Sequence, residues 1–186
     1  MKEQINKCVE ILRDGGTILY PTDTVWGLGC DATNEKAVSK IFEIKNRAES
    51  KSLIQLVDSM AMLKTYVKQV PTNLQLVLNQ ASKPTTVIYN DPVGLAANAV
   101  SQDATVAIRI VQHKFCQELL KAFGKPIVST SANISGQATP KTFKEIDPVI
   151  LKLVDYVVDL PTGNEPKEPS RIVKIERDDS IVVLRE

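Results

Sequence analysis

Thr17-Ile18-Leu19-Tyr20 runs directly into Pro21-Thr22-Asp23-Thr24-Val25-Trp26-Gly27-Leu28-Gly29, and no other stretch of the chain says as much about its architecture. A short apolar run stopped by proline reads as a buried strand. The residues after Pro21 are mostly small, hydroxyl-bearing or glycine. Upstream, Ile5, Cys8, Val9 and Leu12 recur at helical spacing until Gly15-Gly16 stop the helix. The same grammar returns at Ile127–Thr130, a strand that empties into Ser131-Ala132-Asn133-Ile134-Ser135-Gly136. In open α/β sheets, ligands collect at the carboxyl ends of strands. Taken singly, such Thr, Ser and Asn residues serve more often as turn and cap residues.

Beyond this core, a helix is expected over Asn34–Lys45, capped by Thr33 and burying Ala37, Val38, Ile41 and Phe42. Strands are expected at Leu53–Val57, Thr85–Tyr89, Thr105–Ile110, Tyr156–Asp159, Arg171–Ile175 and Ile181–Leu184. Helices are expected near Ser59–Val67, Thr72–Leu78 and Lys114–Phe123, the last ended by Gly124. Asp147-Pro148 has the cap-then-proline signature of a further helix start. Alternating strands and helices indicate an α/β layer architecture. The last two strands, joined across Glu176–Ser180, suggest a hairpin and hence a mixed sheet. Leu160–Pro169 is linker-like but too near the C-terminus to divide two domains, so one domain over residues 1–186 is expected.

Composition narrows the function. The 186 residues are 43% hydrophobic and 24% charged, ordinary globular proportions. Lys+Arg of 23 against Asp+Glu of 22 excludes a blanket nucleic-acid coat, though not a local basic patch. No apolar run approaches the roughly 20 residues of a membrane span, and no leader follows Met1, so the expectation is a cytoplasmic chain without a membrane partner. Cys8, Cys30 and Cys116 form no C-x-x-C pair, which removes a disulfide scaffold and a cysteine zinc site. The single histidine, His113, stands at an expected helix start, and no G-x-S-x-G accompanies it. A catalytic triad and a multi-histidine metal centre drop out, and no protein-held metal site is expected.

Gly27-Leu28-Gly29-Cys30-Asp31-Ala32 matches G-x-G-x-x-A, but Pro21 to Trp26 intervene after the strand. A dinucleotide fingerprint needs its first glycine at the strand end, so the match is rejected. Lys45, Arg47 and Lys51 would suit a polyphosphate, with Arg offering a planar fork and Lys a point charge. Alternatively, Lys45 and Arg47 answer the helix dipole. Arg109 stands in Thr105-Val106-Ala107-Ile108-Arg109-Ile110, where an apolar residue is expected. It implies a carboxylate or phosphate partner, or an edge facing water.

The stretch Pro21–Gly29 resembles the P-T-D-T-x-[YW]-G-L signature of the YrdC-like threonylcarbamoyl-AMP synthases. Lys45-Asn46-Arg47, Val106–Arg109, Ser129-Thr130-Ser131-Ala132-Asn133-Ile134-Ser135-Gly136 and Pro169-Ser170 recur in that family's order, from about Ile5 to Arg185. The resemblance implies an open, twisted mixed α/β sheet with a concave ligand-binding face. It implies a nucleotidyltransferase that joins L-threonine, bicarbonate or carbon dioxide, and the AMP of ATP, releasing pyrophosphate. The product would serve threonylcarbamoyl modification of adenosine 37 in tRNA, through downstream transferase proteins. Carried over by position, Thr24, Gln55, Arg109, Ser129 and Ser170 would hold threonine. Arg47, Lys51, Thr105, Ser131, Asn133, Thr139 and Arg185 would contact ATP, with Lys51, Arg47 and Arg109 carrying the catalysis. Magnesium would accompany ATP, held by phosphate oxygens and water. Ala48 and Ser52 replace prolines common in the family. Two alternatives stand beside this reading. One is an RNA-binding module without catalysis that uses the concave face, against which few aromatics and neutral charge count. The other is the carbamoyl-adenylating domain of a hydrogenase maturation factor, whose zinc-binding cysteine pairs are missing here.

Overall fold

The computed structural model describes residues 1–48, 53–160 and 168–186. The expected helix at the N-terminus is α1 (Lys2–Arg13), burying Ile5, Cys8, Val9 and Leu12. Strand β1 (Ile18–Tyr20) begins one residue later than expected, because Thr17 is drawn to Asp155. The Asp155 carboxylate accepts from the Thr17 amide at 2.7 Å and from its hydroxyl at 2.9 Å. The next strand is one the sequence does not announce: β2 (Gly27–Gly29) pairs antiparallel with β1, Tyr20 against Gly27. Pro21 to Trp26 are therefore the connection of a hairpin. Three residues, two of them glycine, carry too little periodicity to mark a strand.

Helix α2 (Glu35–Lys45) is capped by Asn34, whose side chain accepts from the Ala37 amide at 3.2 Å. Thr33, the expected cap, instead donates its hydroxyl to Asp31 at 2.7 Å. Then come β3 (Ile54–Val57), α3 (Met60–Tyr66), α4 (Leu74–Gln80), β4 (Thr85–Asn90) and β5 (Thr105–Ile110). Next are α5 (Lys114–Phe123), ended by Gly124 at φ 80°, β6 (Ile127–Ser131) and α6 (Pro148–Leu153), capped by Asp147. Strand β7 is only Tyr156–Val157, and β8 (Arg171–Ile175) and β9 (Ile181–Arg185) form the expected hairpin.

Among the described residues, the nine strands make one mixed sheet in the order β7-β1-β2-β6-β3-β5-β4-β8-β9. Pairings β1·β7, β3·β5 and β4·β8 are parallel, and the others are antiparallel. Strand alternation separates two faces. One carries Leu19, Leu28 and Val128 packed against α2, and further along Val57, Val87, Val106 and Ile108 packed with Leu63 and Leu74 of α3 and α4. The other carries Ile18, Tyr20, Leu56 and Ile127 under α1 and α5. On that second face, Ile54, Ala107, Arg109, Ile88 and Ile172 line an open cavity instead. No described helix is long and apolar enough to cross a membrane.

Candidate active site

The cavity encloses about 330 Å³, within the range of a small-molecule site. Thr24, Val25, Trp26 and Gly27 enter it from the β1–β2 hairpin, and Ser129, Thr130 and Ser131 from the end of β6. The remaining polar lining comes from Arg47, Arg109, Thr139, Ser170 and Arg185. Two glycines allow this convergence. A Cβ on Gly29 would overlap the carbonyl oxygen of Val128, and one on Gly27 would come within 2.8 Å of the Ser129 hydroxyl. The G-x-G match thus reflects close approach of β2 to its neighbours, and the dinucleotide reading stays rejected.

Arg109 is 3% exposed, and its anionic partner is already present: Nη2 lies 3.0 Å from Oδ1 of Asp23. Asp23 is a site residue that the sequence does not single out, although it stands beside Thr24 in the same signature. The other Asp23 oxygen, Oδ2, accepts from the Gln112 amide at 3.1 Å, tying the hairpin loop to the end of β5. Arg109 Nη2 also donates to Thr24 Oγ1 at 3.1 Å. The Thr22 hydroxyl donates its one proton to the Val25 carbonyl at 2.7 Å. At the 3.1 Å Thr22–Thr24 contact, the Thr24 hydroxyl is therefore the donor. Thr24 consequently presents lone pairs, rather than a proton, to Arg109 and the cavity.

Lys45 is 2% exposed, and its ammonium donates to the carbonyls of Ser131 at 2.5 Å and Asn133 at 2.6 Å. Neither a polyphosphate contact nor a helix-dipole role describes it; it fastens α2 to the loop after β6. Asn133 is likewise committed inside that loop. Its Oδ1 accepts from the Ser131 hydroxyl at 2.5 Å, and its amide donates to the carbonyls of Ile134 at 3.1 Å and Gln137 at 2.9 Å. Asn133 is outside the cavity lining and shapes the loop that carries Ser131.

Two further expected site residues lie outside this cavity. Gln55 sits opposite Ile108 in the β3–β5 register, on the helix-covered face, and its amide donates to the Ala99 carbonyl at 2.9 Å. The side-chain period of two turns it away from the cavity, which Ile54 lines. Thr105 lies four residues before Arg109, at the far end of β5, and its hydroxyl donates to Asp103 at 2.8 Å. It does not line the cavity. Lys51 falls outside the described residues.

The remaining expected residues converge. The Ser170 hydroxyl meets that of Thr86 at 2.8 Å, and its carbonyl accepts from Arg185 Nε at 3.1 Å and Nη2 at 2.7 Å. Burial, and then the neighbouring Arg109 charge, push the Arg185 pKa down, and burial lowers that of Arg47. Cations held in this way gain from an arriving anion. Apolar lining from Ile54, Ile88, Ala107 and Ile172 is legible in the sequence only through alternation counted from Arg109. Trp26 packs at 4.8 Å on Phe143, whose ring backs the hairpin loop.

Among the described residues, no carboxylate or histidine lines the cavity. Its donor set, three guanidinium groups and a ring of hydroxyls, fits a polyanion and a small amino acid. It does not fit a divalent ion held by protein oxygens. Residues 10–186 match the family profile described as Telomere recombination, Sua5/YciO/YrdC. The chain belongs to the Sua5/YciO/YrdC family. Among its relatives, a threonylcarbamoyl-AMP synthase of Stenotrophomonas maltophilia is 37% identical over 168 residues, covering 88% of this chain and 90% of the relative. E. coli YciO superposes with a TM-score of 0.85 at 28% identity, covering 100% of this chain and 90% of YciO. P. abyssi Sua5, solved in complex with L-threonine, gives a TM-score of 0.87 at 27% identity, covering 97% of this chain. The chain spans about half of that Sua5, 53% of its length.

Proposed function

We propose that this chain is a threonylcarbamoyl-AMP synthase, a nucleotidyltransferase acting on L-threonine, bicarbonate or carbon dioxide, and ATP. The observation that carries this reading is one cavity that unites Thr24, Arg109, Ser129 and Ser170 with Arg47, Ser131, Thr139 and Arg185. The first four would hold threonine, with Arg109 facing its carboxylate and Thr24 accepting from its amine or hydroxyl. The second four, with Lys51, would contact ATP.

The chemistry suits a cavity whose described lining holds no carboxylate or histidine. The threonine amine attacks carbon dioxide and loses a proton, giving a carbamate that is already anionic. A carbamate oxygen then attacks the α-phosphorus, and the bond to the β-phosphate oxygen breaks, releasing pyrophosphate. Such a displacement depends on positioning and charge neutralisation rather than on proton transfer from the protein. Arg47 and Arg185 would neutralise phosphate charge, while hydroxyls from two strand ends align the reactants. Magnesium would enter with ATP as part of the substrate, its coordination supplied by phosphate oxygens and water. The product would then serve tRNA threonylcarbamoylation carried out by downstream transferases.

Pure protein supplied with ATP, L-threonine and bicarbonate should release pyrophosphate and form the threonylcarbamoyl adenylate, seen by mass spectrometry. Leaving out threonine or bicarbonate should abolish both signals. Steady ADP formation without threonine, or RNA retention on a filter without any adduct, would overturn the reading.

A further inference from the structure

The Asp23–Arg109 pair raises a question that the reaction alone does not answer. A second carboxylate beside a guanidinium meant for a substrate carboxylate repels that substrate. Here Asp23, with a side chain 10% exposed, sits 3.0 Å from Arg109 Nη2. The pair is close but poorly aligned. Asp23 Oδ1 and Arg109 Nε are both buried, and neither makes a hydrogen bond. Asp23 Oδ2, by contrast, is anchored on the Gln112 amide. The carboxylate is therefore fixed by the backbone, and the guanidinium leans toward it with hydrogen-bonding capacity left over.

We propose that Asp23 is a resident counter-ion, a positioning residue that holds Arg109 while the site is empty and restrains its affinity for an incoming carboxylate. Two observations support it. Arg109 is 3% exposed, and a charge so buried needs compensation in the unliganded protein. In addition, Arg109 Nε is an unpartnered, buried donor on a residue that lines the cavity. A ligand carboxylate on the cavity side of Arg109 lies within a few ångströms of Asp23 and feels the aspartate's charge. Asp23 thus makes the empty site stable and keeps the amino acid exchangeable. This inference rests on threonine being the ligand of Arg109.

Calorimetric titration of threonine and of threoninamide, which lacks the carboxylate, into wild type and Asp23→Asn tests it. Asparagine keeps the length and the acceptor for Gln112 but removes the charge. Threonine should bind Asp23→Asn about tenfold more tightly, given charge repulsion across a few ångströms. Threoninamide and ATP affinities should stay within about twofold. The ligand-free variant should melt below wild type, and threonine should raise its melting temperature more than it raises that of wild type. Unchanged or weaker threonine binding would overturn the proposal. So would an equal shift for threonine and threoninamide. If Asp23→Asn does not fold, Asp23→Glu keeps the counter-charge one methylene away. It should shift threonine affinity at least about threefold and leave threoninamide unmoved, and no shift overturns the proposal. If wild type itself binds no threonine, the reading of the site fails instead.

Discussion

Lys45 donates to the carbonyl of Ser131 at 2.5 Å, and this contact joins the end of α2 to the end of β6. The sequence offers both residues as candidate ligand contacts, yet only Ser131 faces the cavity. Lys45 sets where Ser131 stands.

Lys45→Met removes the donor and leaves the carbonyls of Ser131 and Asn133 without it, which should cost about 1–3 kcal/mol in urea denaturation. The pH dependence has a definite sign. Burial, and then the Arg47 charge, pushes the Lys45 pKa down to about 8 from the ordinary 10.5. Between those values the unfolded chain binds the extra proton, so the Lys45 contribution to stability rises with pH. The stability gap between wild type and Lys45→Met should widen from about pH 8 toward pH 10.5, and be flat below about pH 7. A gap that narrows over this window would contradict the assignment.

Gly29→Ala and Gly124→Ala should separate two reasons for glycine. At Gly29 the added carbon collides with the Val128 carbonyl, a backbone atom that cannot yield without moving β6. At Gly124 the space is open and only the φ of 80° resists. The second change should cost about 1 kcal/mol, the ordinary penalty for placing a side chain in the left-handed region. The first should cost at least about twice that and also reduce turnover, because Ser129 and Ser131 ride on the displaced strand. Equal costs by chemical denaturation would refute the close-approach argument.

The order of elements was legible because long apolar periods survive in α1, α2, α5, β4 and β5. Strand β2 was not, since a three-residue strand with glycine at both ends has no pattern of its own. At the site, the stretches after the first strand and after Ile127–Thr130 stand out by position along the chain, and Thr24 and Ser131 from them line the cavity; Ser129 and Ser170, to which only the family resemblance points, line it too. Gln55 shows the limit. Its place in the sequence is beside cavity-lining Ile54, but facing depends on register parity, which pairing with β5 decides. Asp23 is hidden in the sequence for a different reason. A carboxylate in a polar loop looks ordinary until the fold brings Arg109 to it.

Gln55→Met should therefore leave threonine affinity unchanged within about twofold while lowering stability by about 1–3 kcal/mol, since the Ala99 carbonyl loses its donor. Thr24→Val, in the same titration, should weaken threonine by about tenfold through loss of one acceptor. Reversed effects would return Gln55 to the site.

Arg47→Ala should act on the nucleotide alone. The side chain reaches the cavity from the residue after the α2 C-cap, and Ser131 and Thr139 line the same cavity. Turnover should fall at least about a hundredfold, the scale for losing a charged group that stabilises developing phosphate charge. Threonine binding without ATP should hold within about twofold of wild type. A matching loss of threonine affinity would indicate a damaged fold or a shared subsite.

Arg109→Lys is the strictest test of the amino-acid subsite. In the folded site one guanidinium does two things at once: Nη2 lies against Asp23, and the same nitrogen donates to Thr24. A lysine ammonium is a single nitrogen on a flexible stem, and paired with Asp23 it has no planar fork left to offer a ligand carboxylate. Charge is conserved, so a purely electrostatic role would tolerate the change. A role that depends on the planar fork would not. Threonine binding should weaken by about 2–5 kcal/mol, nearly as much as in Arg109→Ala, while ATP affinity moves far less. Calorimetric titration of each ligand into both variants decides it. Normal threonine binding in Arg109→Lys would mean the guanidinium geometry is irrelevant to the ligand, and a collapse of ATP binding would place Arg109 on the phosphates.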